Sequence, residues 1–129
     1  MFTLSPRSEK RLEGVHADLV KVVRRALEVS ECDFGVVEGL RSQERQAELL
    51  ASGKSKTIHS RHLTGHAVDL VPFVGGEAKW EFEYFKPISR AMLAASKELL
   101  IPIVWGGNWT FRDGPHFELA WSSYPVKLT

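Results

Sequence analysis

Apolar residues recur at helical spacing in two long stretches of the chain. In the first, about residues 16–30, they follow one another at i, i+3, i+4, i+7 and i+8 and are Leu19, Val22, Val23, Ala26 and Leu27. In the second, about residues 84–100, they are Ile88, Met92, Ala95 and Leu99. Ser5 followed by Pro6 is typical of a capped helix start, so a short helix is expected to begin there, before the two long stretches. The pattern predicts helices that bury one face each.

Shorter β-prone runs lie between these helices. The expected strands cover about residues 34–39, 67–73, 103–105 and 116–119. Ser42 can cap a further helix that ends at Gly53, which puts Arg41 at a strand-to-helix junction. Residues 54–61 are polar and are expected to form a loop. Together these elements predict an α+β fold in which helices cover one face of a small, mostly antiparallel sheet.

The composition limits the classes of function open to the chain. With 129 residues and 43% apolar residues it can bury one core, and we expect a single domain over residues 1–129. The 17 basic and 16 acidic residues nearly balance, so neither nucleic acid nor anionic lipid is an expected partner. No apolar run is long enough for membrane insertion, and the N-terminus does not resemble a signal peptide. The single cysteine, Cys32, fits a reducing cytoplasm.

The segment SRHLTGHAVD, residues 60–69, holds the densest group of potential metal ligands. A catalytic zinc ion commonly takes three protein ligands from histidine, aspartate or glutamate and leaves a fourth position for water. Two ligands from this segment therefore need a third from elsewhere, and His116 is the only histidine in the C-terminal half. Asp113, three residues before it, is placed to accept a proton from water that a zinc ion acidifies. These residues predict a hydrolytic site with one zinc ion per chain.

Strand geometry bears on which histidine joins Asp69. Alternate residues of a strand face opposite sides, so a strand that already includes His66 keeps that side chain away from Asp69. His62, in a loop before the strand, can fold back to the Asp69 face. The alternative is an i, i+4 pair of His62 and His66 on a helix, as in HExxH proteases, but Leu63 replaces the glutamate and Gly65 disfavours a helix. The expected ligands are therefore His62, Asp69 and His116.

Four motifs carry a resemblance to a known family. The pattern S-x-H-x-x-G-x-A-x-D is met at its five fixed positions, Ser60, His62, Gly65, Ala67 and Asp69. An acidic-x-x-H pattern, an R-S-x-x-x-Q stretch and a tryptophan loop W-G-G-x-W are met by residues 113–116, 41–46 and 105–109. From about residue 34 to 119 the sequence therefore resembles the LAS zinc metallopeptidases. These include D-Ala-D-Ala carboxypeptidases and dipeptidases and the L-alanyl-D-glutamate endopeptidases of phage endolysins.

The resemblance implies chemical roles for two further residues. Asp113 takes the position of the catalytic acid/base, and aspartate rather than glutamate there resembles the phage branch. Arg41 is expected to bind the substrate carbonyl and the oxyanion that develops from it, and the alternative for Arg41 is a surface ion pair. If Asp113 does not move the proton, Glu118 is the next carboxylate to consider.

Four residues are expected to bind substrate. Ser60 and Gln46 belong to the matched motifs, and Ser60 can instead cap its loop. Trp105 and Trp109 are expected to line the substrate groove, although large aromatic side chains are commonly core residues.

The resemblance also implies a hedgehog/DD-peptidase-like fold and a function. The expected function is that of an endolysin, which hydrolyses the L-Ala to D-Glu bond of bacterial peptidoglycan stem peptides and carries no separate wall-binding domain. We expect a monomer that stays in the host cytoplasm until a holin-type partner lets it reach the periplasm and cell wall. A D-Ala-D-Ala carboxypeptidase or dipeptidase with the same zinc site is the alternative. A non-catalytic, zinc-containing wall-binding module is the alternative of another class, although a structural zinc site is usually closed by four protein ligands.

Overall fold

Four helices and five strands form the architecture of the computed structural model, which describes residues 1–55, 57 and 59–126. The helices are α1 (Pro6–Arg11), α2 (Ala17–Val29), α3 (Gln43–Ala51) and α4 (Phe85–Leu99). The strands are β1 (Asp33–Glu38), β2 (Ala67–Val74), β3 (Glu77–Ala78), β4 (Ile103–Trp105) and β5 (His116–Leu119). Within the described ranges, no helix is long and apolar enough to cross a membrane.

The helices begin and end close to the predicted residues. Ser5 and Ser42 cap α1 and α3, because each side-chain oxygen accepts a hydrogen bond from a backbone N–H in the first turn. The five apolar residues of the α2 stripe are all buried, and α2 packs on α4. On α4, Ile88, Met92 and Ala95 are buried as expected, whereas Leu99 is only partly buried because it lies in the last turn.

The sheet has the strand order β1-β2-β5-β4, and β3 pairs with β2 through the turn at Gly75 and Gly76. Every strand pairing in the described part of the chain is antiparallel. One face of the sheet packs on α2 and α4 through side chains that join the hydrophobic core, namely Phe34, Val36, Val68, Leu70, Phe117 and Leu119. The predicted α+β fold is confirmed. The opposite face of the sheet is available to polar side chains.

The segment expected to be a loop before β2 contains a short 3₁₀ turn, Arg61–Thr64. Gly65 ends this turn with a φ of 75°, and a Cβ atom there would lie 2.3 Å from the carbonyl oxygen of Gly14. The N–H of His16 donates to the carbonyl oxygen of Gly65 over 2.8 Å. The turn is therefore held against the start of α2, where only glycine fits. Positions 56 and 58 of the expected loop lie outside the described residues.

Candidate metal centre

Neighbouring strands bring the expected metal ligands together on the polar face of the sheet. Asp69 of β2 is the direct cross-strand partner of His116 of β5. Their sequence neighbours Val68 and Phe117 lie in the core, so Asp69 and His116 face the other way. His62 reaches the same face from the 3₁₀ turn that precedes β2. His62 was expected in a loop before the strand, and the structure places it in a short 3₁₀ turn instead.

The spacing of the three side chains fits a metal ion. Oδ1 of Asp69 lies 3.3 Å from Nε2 of His62 and 3.4 Å from Nδ1 of His116. A tetrahedral ion with ligand bonds of about 2.0–2.2 Å separates its ligand atoms by roughly 3.3–3.6 Å. The side chains of His62 and His116 are buried, whereas that of Asp69 is 21% exposed. The cluster can therefore hold a metal ion and leave it open to solvent on one side.

Hydrogen bonds select the nitrogen of His62 that faces the cluster. Nδ1 of His62 donates to the carbonyl oxygen of Gly39 over 2.8 Å, which directs Nε2 at Asp69. A Cβ atom at Gly39 would lie 2.3 Å from the carbonyl oxygen of Arg11, so the chain passes too closely there for a side chain. Ser60 accepts a hydrogen bond from the N–H of His62 over 3.1 Å and caps the turn.

A buried carboxylate orients His116 from the opposite side. Nε2 of His116 donates to Oε1 of Glu118 over 2.8 Å, so Nδ1 faces Asp69. Glu118 is itself buried, and its Oε2 lies 3.7 Å from Nε of Arg61. Burial acts to lower the pKa of His116, but its hydrogen bonds to Asp69 and Glu118 outweigh this and raise the pKa to about 9. Such a cluster strongly favours a positive charge at its centre.

Asp69 lies between two histidines and an arginine. Burial acts to raise its pKa, but the hydrogen bonds from His116 and His62 outweigh burial and hold the pKa of Asp69 far below its usual range. Arg41 Nη2 lies 3.6 Å from Oδ2 of Asp69. Asp69 is thus ionised and keeps both oxygens engaged with positive or hydrogen-bonding groups.

Arg41 is fixed by its neighbours rather than free in solvent. Its Nε donates to Glu38 over 2.9 Å, its Nη1 donates to Gln46 over 2.7 Å, and its Nη2 also bonds Glu38. Glu38 is the cross-strand partner of Asp69 at a register irregularity near the end of β1. Arg41 therefore lies beside the candidate ligands, and its ion pair with Glu38 is partly buried rather than a surface ion pair.

Asp113 lies in the turn between β4 and β5. Its N–H donates to the carbonyl oxygen of Gly106 over 2.9 Å, and a Cβ atom at Gly106 would lie within 3.1 Å of both Asp113 and His116. The carboxylate reaches solvent, yet the protein atoms around it partly desolvate it and raise its pKa. The negative charge of Asp69 raises the pKa further. The turn therefore places beside the cluster a carboxylate that holds a proton more readily than usual.

Known proteins resemble this chain over nearly its whole length. Residues 1–120 match the family described as phage L-alanyl-D-glutamate peptidase. The L-alanyl-D-glutamate peptidase of Escherichia phage T5 is 36% identical over 127 residues, which are 95% of this chain and 93% of that protein. The chain belongs to the phage L-alanyl-D-glutamate peptidase family.

Two further relatives agree with this membership. The L-alanyl-D-glutamate peptidase of Listeria phage A118 is 33% identical over 113 residues, which are 84% of this chain and 39% of that protein. The crystal structure of the Serratia marcescens L-Ala D-Glu endopeptidase ChiX superposes with a TM-score of 0.91 at 48% identity, covering 96% of this chain and 95% of that one. The resemblance stated from the sequence and the expectation of a peptidase are both confirmed.

Two of the residues expected to bind substrate are buried in this member of the phage peptidase family. Gln46 is fully buried, where it accepts from Arg41 and donates to Ser55 Oγ over 2.8 Å. Trp105 is 8% exposed, and its indole N–H donates to the carbonyl oxygen of Gly114 over 2.7 Å. Gln46 thus positions Arg41, and Trp105 supports the turn that carries Asp113.

The other two lie closer to solvent. Trp109 is 39% exposed, and its ring centroid lies 5.0 Å from that of His116. Ser60 is half-buried and serves as the cap of the His62 turn. His66 lies outside the ligand cluster, and its ring packs 5.3 Å from that of His16.

Sequence reasoning gave no supporting role to Glu38 or Glu118 in this peptidase. Glu118 is two residues after His116 on the same strand, so strand alternation places both on one face and could have identified it. Glu38 follows an apolar run and precedes Arg41 by three residues, which is a weaker signal because glutamate at a strand end is commonly exposed.

Proposed function

We propose that this chain is a zinc-dependent endopeptidase that hydrolyses the L-Ala to D-Glu bond of peptidoglycan stem peptides. Membership of the phage L-alanyl-D-glutamate peptidase family supports the choice of bond. The observation that carries the proposal is the arrangement of His62, Asp69 and His116, whose ligand atoms all lie within 4.8 Å of one another, with Oδ1 of Asp69 3.3 and 3.4 Å from the two imidazole nitrogens.

The donor set supports zinc as the metal. Two imidazole nitrogens and one carboxylate oxygen match the ligand sets of catalytic zinc sites, which keep one position for water or substrate. The solvent-exposed side of Asp69 supports such an open position. When bound, one zinc ion per chain would acidify a water molecule and polarise the scissile carbonyl.

Asp113 is proposed as the group that moves the proton. It accepts a proton from the attacking water and gives it to the nitrogen of the leaving D-Glu residue. Its raised pKa supports this role, because a carboxyl group that holds a proton more readily is a better donor in the second step. Glu118 is less suited to it, because it is buried and bonded to His116.

Arg41 is proposed to stabilise the oxyanion that forms from the scissile carbonyl. A guanidinium group has five N–H donors. Glu38 and Gln46 accept three of them, and one Nη2 hydrogen remains near Asp69. Arg41 thus keeps donor capacity on Nη1, and its fixed positive charge lies close to the cluster.

Trp109 and Ser60 are proposed to contact substrate at the two sides of the cluster. Trp109 is supported by its exposure and its contact with the ring of His116. Ser60 is supported only by its position beside His62. The monomeric state, the cytoplasmic start and the holin-type release partner stay predictions.

Digestion of purified peptidoglycan tests the proposed function. The zinc-loaded protein is expected to release new amino groups, and mass spectrometry should find them on D-Glu residues at the start of shortened stem peptides. Release of D-Ala alone would identify a carboxypeptidase instead. Binding to peptidoglycan without new amino groups would identify a wall-binding module and contradict the proposal.

A further inference from the structure

A groove of about 360 Å³ includes Asp113 in its lining but none of the three candidate ligands. Three aromatic side chains, Trp80, Phe82 and Phe85, line it together with residues 112–115. Trp80 is 56% exposed, so the groove opens to solvent. A Cβ atom at Gly114 would lie 3.1 Å from the Phe85 ring and would narrow it. Asp113 therefore belongs both to the reaction site and to this adjoining groove.

The groove contains one cationic side chain, Arg112, and aromatic stacking holds it in place. Its guanidinium carbon lies 4.7 Å from the centroid of the Phe82 ring. Phe82 stacks on Trp105 at 5.6 Å and 22°, and Trp105 stacks on Phe117 in the core at 6.3 Å and 17°. This series of rings runs from the core to the groove and supports the guanidinium group through a cation–π contact, which does not use its N–H donors.

Arg112 and Arg41 both lie near the site, but their guanidinium groups have different contacts. Arg41 is bonded to Glu38 and Gln46 and lies beside Asp69. Within residues 1–55, 57 and 59–126, ion pairs engage Arg24, Arg25, Arg41, Arg45 and Arg61 but not Arg112. Arg112 thus presents to the groove a guanidinium group that forms no ion pair with a carboxylate of the described residues, although Asp113 lines the same groove.

We propose that this groove binds the residue on the leaving side of the scissile bond and that Arg112 binds its free carboxylate. The inference rests on the proposed function, in which the leaving nitrogen belongs to a glutamate residue. A glutamate carries two carboxyl groups and uses at most one in the next peptide bond, so a carboxylate remains within a few bonds of that nitrogen. Asp113 delivers the proton to the nitrogen, and Arg112 is the neighbouring residue in the same turn.

The aromatic walls strengthen this recognition. A residue bound against the ring faces would displace water from them, and an arginine–carboxylate pair gains strength as water is excluded. The same faces can cover the methylene groups of the glutamate side chain. Arg112 is thereby a specificity-determining residue that binds substrate beside the reacting atoms.

Two matched muropeptides test the inference. Both carry the L-Ala to D-Glu bond, and they differ only in whether the glutamate carries a free α-carboxylate or an α-carboxamide. Arg112→Gln should lower kcat/KM for the carboxylate muropeptide by roughly 10- to 100-fold, as expected for one charged hydrogen-bonded contact. It should leave kcat/KM for the carboxamide muropeptide nearly unchanged. Arg112→Lys keeps the charge and should restore part of the preference for the carboxylate.

A second arginine substitution controls for net charge. Arg90 is exposed on α4, and Arg90→Gln should leave both rates at the wild-type level. An equal loss on both muropeptides in Arg112→Gln would mean that the groove binds a part they share, such as the sugar, and would overturn the inference. An unchanged preference for the carboxylate would overturn it as well, while the proposed function would stand. Failure of the wild-type protein to cut either muropeptide would contradict the proposed function and the inference with it.

Discussion

Asp69 and His116 are direct cross-strand partners, with Oδ1 of the first 3.4 Å from Nδ1 of the second. The register of β2 against β5 therefore sets the separation of two of the three candidate ligands. A slip of β2 by one residue would turn Asp69 into the core and bring Val68 to the polar face beside His116. Burial of the apolar face thus fixes the site at the same time as the fold.

Asp113→Asn tests the proton-transfer role with little change in shape. The amide cannot accept the proton, so turnover should fall by about 10²- to 10⁴-fold. The turn should persist, because the backbone N–H of Asp113 makes the hydrogen bond to Gly106. Turnover and zinc content are measured on the same preparation. Wild-type turnover in a zinc-loaded variant would show that another group moves the proton.

Glu118→Gln tests the support of His116. The substitution removes the negative charge that raises the pKa of His116 and orients its ring, so zinc affinity should fall by roughly 10- to 100-fold. Glu13 is exposed, and Glu13→Gln is the matched control for loss of one negative charge. Competition with a chromophoric chelator measures both dissociation constants. Equal zinc affinity in the two variants would remove Glu118 from the metal site.

Gly65→Ala tests the close approach between the His62 turn and the start of α2. Gly53 is the matched control, because it has a similar φ of 78° but nothing within 4 Å of its Cβ position. Gly53→Ala should therefore lower the free energy of unfolding only by the cost of a left-handed backbone conformation, about 1–2 kcal/mol. The clash of Gly65→Ala with the Gly14 carbonyl should add at least about 1 kcal/mol to this loss. Urea unfolding compares the two variants. Equal free energies of unfolding would show that the turn relaxes without cost.

The sequence predicted most of the helices and strands because their periodicities are clear and their caps are conventional. The stripe of α2 and the proline after Ser5 each specify local structure with little influence from the rest of the chain. The short 3₁₀ turn at residues 61–64 and the two-residue strand β3 were missed because neither is long enough to show a period.

The site was predictable where ligands lie close in sequence and less so where tertiary contacts decide a role. His62 and Asp69 are seven residues apart, and strand alternation together with the matched motif indicated both. Whether Trp105 faces a groove or the core depends on its stacking with Phe82 and Phe117, which no local pattern reveals. The same holds for Gln46, whose amide is buried against a loop nine or more residues away.

Comparison of His62→Ala with His66→Ala tests the central claim most directly, because the two histidines compete for one role in the metal site. Zinc content and hydrolysis of peptidoglycan are measured on both variants at one pH, with folding checked by circular dichroism. We predict that His62→Ala loses zinc affinity and activity together, because it removes one of three protein ligands. His66→Ala should keep about one zinc ion per chain and most of its activity, since its ring packs beside His16. Loss of zinc in His66→Ala with retention in His62→Ala would contradict the ligand assignment.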